Sequence, residues 1–274
     1  MKGTLYVCGT PIGNLKDISK RLAETLSMVD LIAAEDTRHS QKLLSHLGIQ
    51  KPCISYFTHN RRGHGEVIIE ALLSGKNVAL ISDAGMPAIS DPGEELVMEC
   101  AKNDITVSPI PGPCAAISAL AVSGLPTGRF TFEGFLSTQK KGRMDRLDEL
   151  KNEKRTMIFY EAPHKLLKTL EDFVTAFGAD RKISLCREMT KLYEEILRMT
   201  MKEAVTYFTN QPPKGEFVLI VEGKEETPES WDTLSVEEHF AMYVEEGMGK
   251  MDAVKRVAKE RGIPKRDVYD LVMK

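Results

Sequence analysis

Apolar residues recur in short runs separated by longer amphipathic stretches through the first half of the chain. Residues 4–8 (TLYVC), 29–34 (VDLIAA), 53–57 (CISYF), 77–82 (NVALIS) and 105–109 (ITVSP) predict strands. Residues 17–27, 38–47, 65–74 and 91–102 predict helices between them, with Gly48, Gly75 and Asn103 as stop signals near their ends. Strands this apolar, alternating with helices, indicate a parallel sheet covered on both faces. A further helix near 113–123 runs into SGLPTG (123–128), which sets the first expected boundary and gives an N-terminal α/β domain over 1–124.

The pattern then restarts. FTFEGF (130–135), RTMIFYEA (155–162), RKISLCR (181–187), EEILRM (194–199) and GEFVLIVEG (215–223) predict strands, some of them antiparallel, with helices at 163–176 and 201–208. A second α/β domain over 129–223 is expected. After the TPESWDTL linker (227–234), helices around 235–246, 250–261 and 265–273 predict a small helical C-terminal extension over 235–274. Its helix–Gly–Pro–helix rhythm fits a helix-turn-helix-like nucleic-acid reader, and equally a solvated cap or docking module.

Composition narrows the class. At 42% hydrophobic, 274 residues can bury a core without disulfide or metal staples. The five scattered cysteines (Cys8, Cys53, Cys100, Cys114, Cys186) form no CxxC pair, so neither a disulfide scaffold nor a zinc cluster is expected. The first residues turn polar too soon for a signal peptide, and no apolar run is long enough for a membrane span, so a cytoplasmic protein is expected. The net charge of -3 argues against a protein that coats nucleic acid through bulk charge. The average conceals a pattern, because residues 224–249 are strongly acidic and 250–274 basic, leaving the body near neutral.

In open α/β sheets ligands sit beyond the C-terminal ends of the strands. That rule selects the loops GTPIGN (9–14), EDTRHS (35–40), THNRRGH (58–64), DAGMPAISDPG (83–93) and PGPCAA (111–116). Each alone could be a plain turn; together they mark a site. Glu35 and Asp36 could supply a base or bind a polar substrate; the alternatives are a cap on the next helix from Asp36 or Thr37 and a salt bridge to Arg38. His59, Asn60, Arg61, Arg62 and His64 suit phosphate or ribose contacts. Asp83 and Asp91 can accept hydrogen bonds from a ligand, although Asp91 also fits an N-cap with Pro92 and Glu94 behind it. Neither GxxxxGK[ST] nor GxGxxG occurs, so a ligand held through a phosphate chain is not expected. Metal ligands are not expected either.

In the second domain KKGRMDR (140–146) and KNEKR (151–155) form a lysine- and arginine-rich stretch. Lys140, Lys141 and Arg143 are candidates for a phosphate-backbone patch, with a solvated helix face as the alternative. Glu188 and Lys191, with Arg187 and Glu195, could pair with one another or face the cleft. Cys114 reads as a small packed side chain rather than a nucleophile, having no local His partner.

These loops carry a resemblance. LYVCGTPIGNLKDI (5–18), IAAEDTRHSQKLL (32–44), THN (58–60), ALISDAGMPAISDPG (79–93), PIPGPCA (109–115), SGLPTGRFTFEGF (123–135), IFYEAPHK (158–165), CREMTKLYEE (186–195) and KGEFVLIVEG (214–223) resemble, in order, the tetrapyrrole methylase superfamily. Within it, the motifs more closely resemble the bacterial 16S rRNA (cytidine 2′-O)-methyltransferases, which act at nucleotide 1402. The resemblance implies a bilobal α/β enzyme, usually dimeric, with S-adenosylmethionine in a cleft between two α/β domains. It would place Thr10, Pro11, Asp83, Ala84, Gly85, Ala88, Ile89, Cys114, Ala115, Tyr160, Ala162, Glu216 and Phe217 at the cofactor. The EDTR and HN signatures favour an RNA substrate, 16S rRNA within the small ribosomal subunit, over a tetrapyrrole. Met86 stands where relatives commonly have Thr, and Lys165 where Arg is common.

The implied chemistry is methyl transfer to a ribose 2′-oxygen, with Glu35, Asp36, Glu188 and Lys191 as candidates to accept or order the hydroxyl proton. Arg38, His59, Asn60, Arg61, Lys140, Lys141 and Arg143 would hold substrate. A small-molecule methyltransferase and a non-catalytic ribosome-assembly factor remain the rival readings.

Overall fold

A computed structural model describes residues 1–57, 61–89, 91, 93–225 and 234–273. Their contacts group Met1–Lys224 into one compact unit and Glu225–Lys274 into another.

The first unit contains two five-stranded sheets. The first sheet is built from β1 (Thr4–Cys8), β2 (Leu31–Ala34), β3 (Cys53–Ser55), β4 (Val78–Ile81) and β5 (Thr106–Ile110), in the order β3-β2-β4-β1-β5. Every pairing is parallel, as the continuous apolar strands predict. Alternate residues serve opposite faces. Leu5, Val7, Val78 and Leu80 pack into one core, whereas Cys8, Ile32, Ala79 and Ile81 pack into another. The covering helices are α1 (Lys20–Met28), α2 (Thr37–His46), α3 (Arg61–Leu73) and α4 (Gly93–Lys102).

Local chemistry sets the ends. The Ser19 hydroxyl accepts the Leu22 N–H and starts α1, and a short 3₁₀ turn at Leu15–Asp17 occupies the start of the helix expected from residue 17. α3 begins four residues earlier than the expected 65. Gly63 and Gly65 obscure its start in the sequence, but burial of Ile68, Ile69 and Leu72 along one face holds it. Thus Arg61, expected in a loop, begins a helix.

The second sheet is mixed. β6 (Phe130–Phe135), β7 (Thr156–Glu161), β8 (Lys182–Arg187), β9 (Glu195–Thr200) and β10 (Phe217–Val221) run in the order β6-β7-β10-β8-β9. β6 and β7 are parallel, whereas β10 is antiparallel to both β7 and β8, and β8 to β9. One face carries α6 (Lys140–Leu150), α7 (Pro163–Phe177) and α8 (Met201–Asn210), through a core that includes Phe159, Phe173 and Leu219.

The other face of this sheet is covered by α5 (Ala115–Val122), which follows the last strand of the first sheet. Ala116, Ala119 and Leu120 pack on Ile158, Val218 and Ile220. The helix before the SGLPTG break therefore belongs, by its buried face, to the second sheet.

The second unit holds α9 (Val236–Glu245), α10 (Lys250–Arg261) and α11 (Lys265–Val272) around Tyr243, Val254, Val257 and Val268. A Ser235–Glu238 capping box starts α9, and Gly262 ends α10 in the left-handed conformation. Among the described residues no helix is long and apolar enough to cross a membrane.

Candidate active site

Loops after β1, β2, β4 and β5 converge with the ends of β6, β7 and β8 and the start of β10 around a cavity of about 580 Å³. That volume falls within the roughly 300–1,000 Å³ typical of small-molecule sites. Ile12, Met86, Ile89, Phe135 and Phe217 contribute apolar surface. Glu35, Asp83, Asp91, Glu161, Glu188 and Glu216 contribute carboxylates, with Lys191 as the cation among the lining residues. Such a surplus of negative charge favours a ligand that carries positive charge.

The wall from the first sheet is held by its own loops. Thr10 and Gly85 exchange backbone hydrogen bonds, the Thr10 N–H reaching the Gly85 carbonyl at 2.9 Å. This pins the turn after β4 against the end of β1. Asp91 Oδ1 accepts the N–H groups of Ala88 and Gly93, both at 2.8 Å, which confirms its capping role at α4 while its residue still lines the cavity. Burial raises the Asp91 carboxyl above its ordinary range.

Glu35 and Asp36 are adjacent in sequence but live in opposite environments. Burial, then the nearby Asp83 charge, pushes the Glu35 carboxyl up, and Glu35 lines the cavity. Asp36 instead caps α2, accepting the Arg38 N–H at 2.8 Å and the Arg38 guanidinium at 2.9 Å. Hydrogen bonds from the Arg38 side chain hold its carboxyl down at about 2. Asp36 and Arg38 thus pair with each other at the start of α2, and neither is among the residues that line the cavity.

From the second sheet, Glu188 sits at φ +49° directly after β8. Its Oε1 accepts both Lys191 Nζ and the Glu216 N–H at 2.9 Å, and Lys191 Nζ also reaches Glu216 Oε2 at 2.8 Å. Partial burial opposes both charges, but these bonds outweigh it: the Glu188 carboxyl is held down and the Lys191 ammonium up. Lys191 is thus held between the Glu188 and Glu216 carboxylates with its charged form favoured. Its stem lies against the loop after β1, where a Cβ on Gly13 (φ +148°) would come within 2.4 Å of Lys191 Cγ. The residue type at 13 is set by this approach. Tyr160 accepts the Ala116 N–H through its hydroxyl, and burial pushes its phenol up to about 12.

A cavity at the carboxyl ends of a parallel sheet, closed by a second mixed sheet, has a known counterpart. The family model for tetrapyrrole (corrin/porphyrin) methylases matches residues 4–205. The chain belongs to the tetrapyrrole methylase family. Within it, a ribosomal RNA small subunit methyltransferase I of Halalkalibacterium halodurans is 50% identical over 274 residues, covering 98% of this chain and 94% of that protein. The protein of the same name from Synechocystis sp. is 48% identical, covering 98% and 97%. Among solved structures, a diphthine synthase superposes with a TM-score of 0.62 at 14% identity, covering 81% of this chain and 90% of that one. A uroporphyrin-III-C-methyltransferase from Thermus thermophilus gives 0.58 at 16%, covering 81% and 94%. At such identities the likeness is one of fold.

On this methylase framework, Asp83, Ala84, Gly85, Ile89, Cys114, Ala115, Tyr160, Ala162, Glu216 and Phe217 all line the cavity. Thr10 does not; it is buried behind the wall and ties the Gly85 turn. Pro11 and Ala88 also lie outside the lining residues, Ala88 serving the Asp91 cap. Cys114 is half-buried at the start of α5 and lines the cavity.

The basic stretch of the second sheet changes most. Arg143 is 9% exposed, its guanidinium bonded to Asp172 at 2.7 Å and to the carbonyls of Ser137 and Thr138. It faces inward because positions 143, 147 and 150 form the buried face of α6. Arg146 pairs with Glu133 and Glu149, and Arg155 with Glu153. Lys140 and Lys141 stay exposed on the first turn of α6. His59 and Asn60 lie outside the described residues, as does the side chain of Arg61.

The expected site residues omit Phe135, Glu161 and Met189, which also line the cavity. Glu161 sits in the IFYEAPHK motif, buried between the Ala162 N–H and the Thr169 hydroxyl. The strand alternation that marks it as core gives no sign of its opening onto a cavity.

Proposed function

We propose that the chain transfers the methyl group of S-adenosylmethionine to the ribose 2′-oxygen of cytidine 1402 in 16S rRNA, acting as a cytoplasmic homodimer on the small ribosomal subunit. The observation that carries this reading is kinship with rRNA methyltransferases along 98% of the chain, joined to a carboxylate-rich cavity at the expected loops.

The residues present fit the cofactor. Its ammonium and sulfonium suit a wall with six carboxylates and one lysine, and its apolar surface suits Ile12, Met86, Ile89 and Phe217. Cys114 and Ala115, at the start of α5, line the same cavity, and Cys114 makes no side-chain cap there, so the positive end of that helix suits the cofactor's carboxylate. When bound, S-adenosylmethionine supplies an electrophilic methyl group that needs no metal to activate it.

A ribose hydroxyl attacks well only as it loses its proton. Glu35 is the carboxylate for that task, because burial and Asp83 raise it toward the working range, whereas Arg38 makes Asp36 too weak a base. Lys191, fixed by Glu188 and Glu216, orders the wall and supplies a fixed charge. Lys140 and Lys141 offer exposed charge to phosphates. Positioning of the hydroxyl in line with the methyl supplies much of the remaining acceleration.

The test is transfer of labelled methyl to unmodified small subunits and to naked 16S RNA, with the modified atom mapped. Label on a base, or on a different ribose, would remove the specific assignment; transfer to a tetrapyrrole without RNA would replace it.

A further inference from the structure

Phe135 ends β6 and lines the cavity, yet 63% of its surface is open to solvent. The strand is bent to put it there. In an unbroken strand, residues three apart face opposite sides. Between Phe132 and Gly134 the register with β7 slips, and Gly134 takes φ +62°, a conformation glycine adopts freely. As a result Phe132 and Phe135 fall on one side, their ring centroids 5.2 and 5.5 Å from that of Tyr160. Bulges beside active sites re-aim side chains, and this one turns an aromatic face outward while Tyr160 buttresses it from behind.

So exposed a ring stands at the rim of the cavity rather than on its floor, where Phe217 and Cys186 are buried. Whatever it meets arrives from outside. Five residues along the chain, Lys140 and Lys141 are exposed on the first turn of α6, and no side chain caps that helix. Five residues span at most about 18 Å. An exposed ring with cations and free backbone N–H groups at that distance is the combination that single-stranded nucleic acid uses: a platform for a base and charge for its backbone.

We infer that Phe135 is the platform on which the target nucleobase of a single-stranded RNA segment stacks, delivering its ribose to the cavity beside Glu35. This rests on the RNA-methylating function proposed above, and names a residue that holds the base rather than the cofactor. Stacking reads every base through its π-face, so Phe135 contributes affinity and placement but little choice among bases.

The experiment uses the full chain with unmodified small ribosomal subunits, comparing wild type, Phe135→Ala and Phe135→Trp. KM for the subunit should rise about tenfold or more in the alanine variant and return toward wild type in the tryptophan variant, the range one base–aromatic stack commands. The dissociation constant for S-adenosylmethionine, measured by calorimetry, should stay within about twofold. A short RNA with an abasic ribose at the target position should bind wild type and Phe135→Ala equally. An unchanged KM in Phe135→Ala, or a loss of cofactor affinity matching the rise in KM, would overturn the inference while leaving the methyltransferase intact. Wild-type protein that methylates no RNA would remove the function and the inference together.

Discussion

The ion pair between Arg143 and Asp172 offers the sharpest test of how charge is used in this protein. In sequence Arg143 belongs to a basic stretch suited to phosphates; in the fold its side chain and that of Asp172 are 11% and 7% exposed. Asp172→Ala leaves the guanidinium buried without its counter-ion, and Arg143→Ala leaves the buried Asp172 carboxylate with only the exposed Lys168 ammonium at 3.2 Å, each at a cost of about 3–5 kcal/mol. Arg143→Ala also releases the carbonyls of Ser137 and Thr138, whereas in Asp172→Ala the guanidinium keeps both. With a urea m-value of about 3 kcal/mol/M, the upper end for small proteins, each single variant should lower the unfolding midpoint by about 1–1.7 M. The double variant should lose far less than the sum, because the second truncation removes the orphaned charge. The assay is urea unfolding followed by circular dichroism, with RNA affinity measured against salt in parallel. A phosphate-gripping arginine would instead leave the midpoint in place and reduce the salt slope by about one. That pattern in Arg143→Ala would refute the reasoning.

Other expectations follow from the cavity. Glu35→Gln should cut methyl transfer about 10²–10⁴-fold with cofactor binding retained, whereas Asp36→Asn should leave the rate within a few-fold. Because the folded protein holds the Glu35 proton more tightly than the unfolded chain, ionising Glu35 costs stability as pH rises above 4.5 through the raised value. Glu35→Gln should therefore raise the melting temperature at neutral pH, and a wild-type kcat/KM profile should fall as pH drops through that same raised value. Gly13→Ala drives a methyl group into the Lys191 stem and should lower kcat/KM; Lys191→Ala, which removes Cγ, should make the two changes less than additive in steady-state assays. Equal additive losses would mean that the two residues do not meet. Neutralising Lys140 and Lys141 together should weaken RNA binding and flatten its salt dependence, read by filter binding across a salt series.

Much of the fold is legible in the chain because the inner strands β2 and β4 are buried on both faces and read as unbroken apolar runs. β7, β8 and β10 read the same way. The site loops are legible through glycine, proline and carboxylate at strand ends. Illegible features depend on what a side chain meets after folding. Nothing in KKGRMDR says that Arg143 turns inward to Asp172, which stands 29 residues away. Nothing adjacent separates Glu35 from Asp36, because the difference is made by Asp83 and by the helix that Asp36 caps. Phe135 looks like one more strand aromatic until the bulge at Gly134 is seen.

The placement of α5 has a consequence for how such an enzyme can be divided. The helix leaves the first sheet's last strand and spends its apolar face on Ile158, Val218 and Ile220 of the second. A cut after it, at the SGLPTG break, would bare that face of the second sheet to water, whereas a cut before Cys114 keeps the helix and the sheet it covers on one piece. Exchanging the second sheet for that of a distant relative therefore requires α5 to travel with it, the join falling before Cys114 rather than at the SGLPTG break that the sequence offers as a boundary.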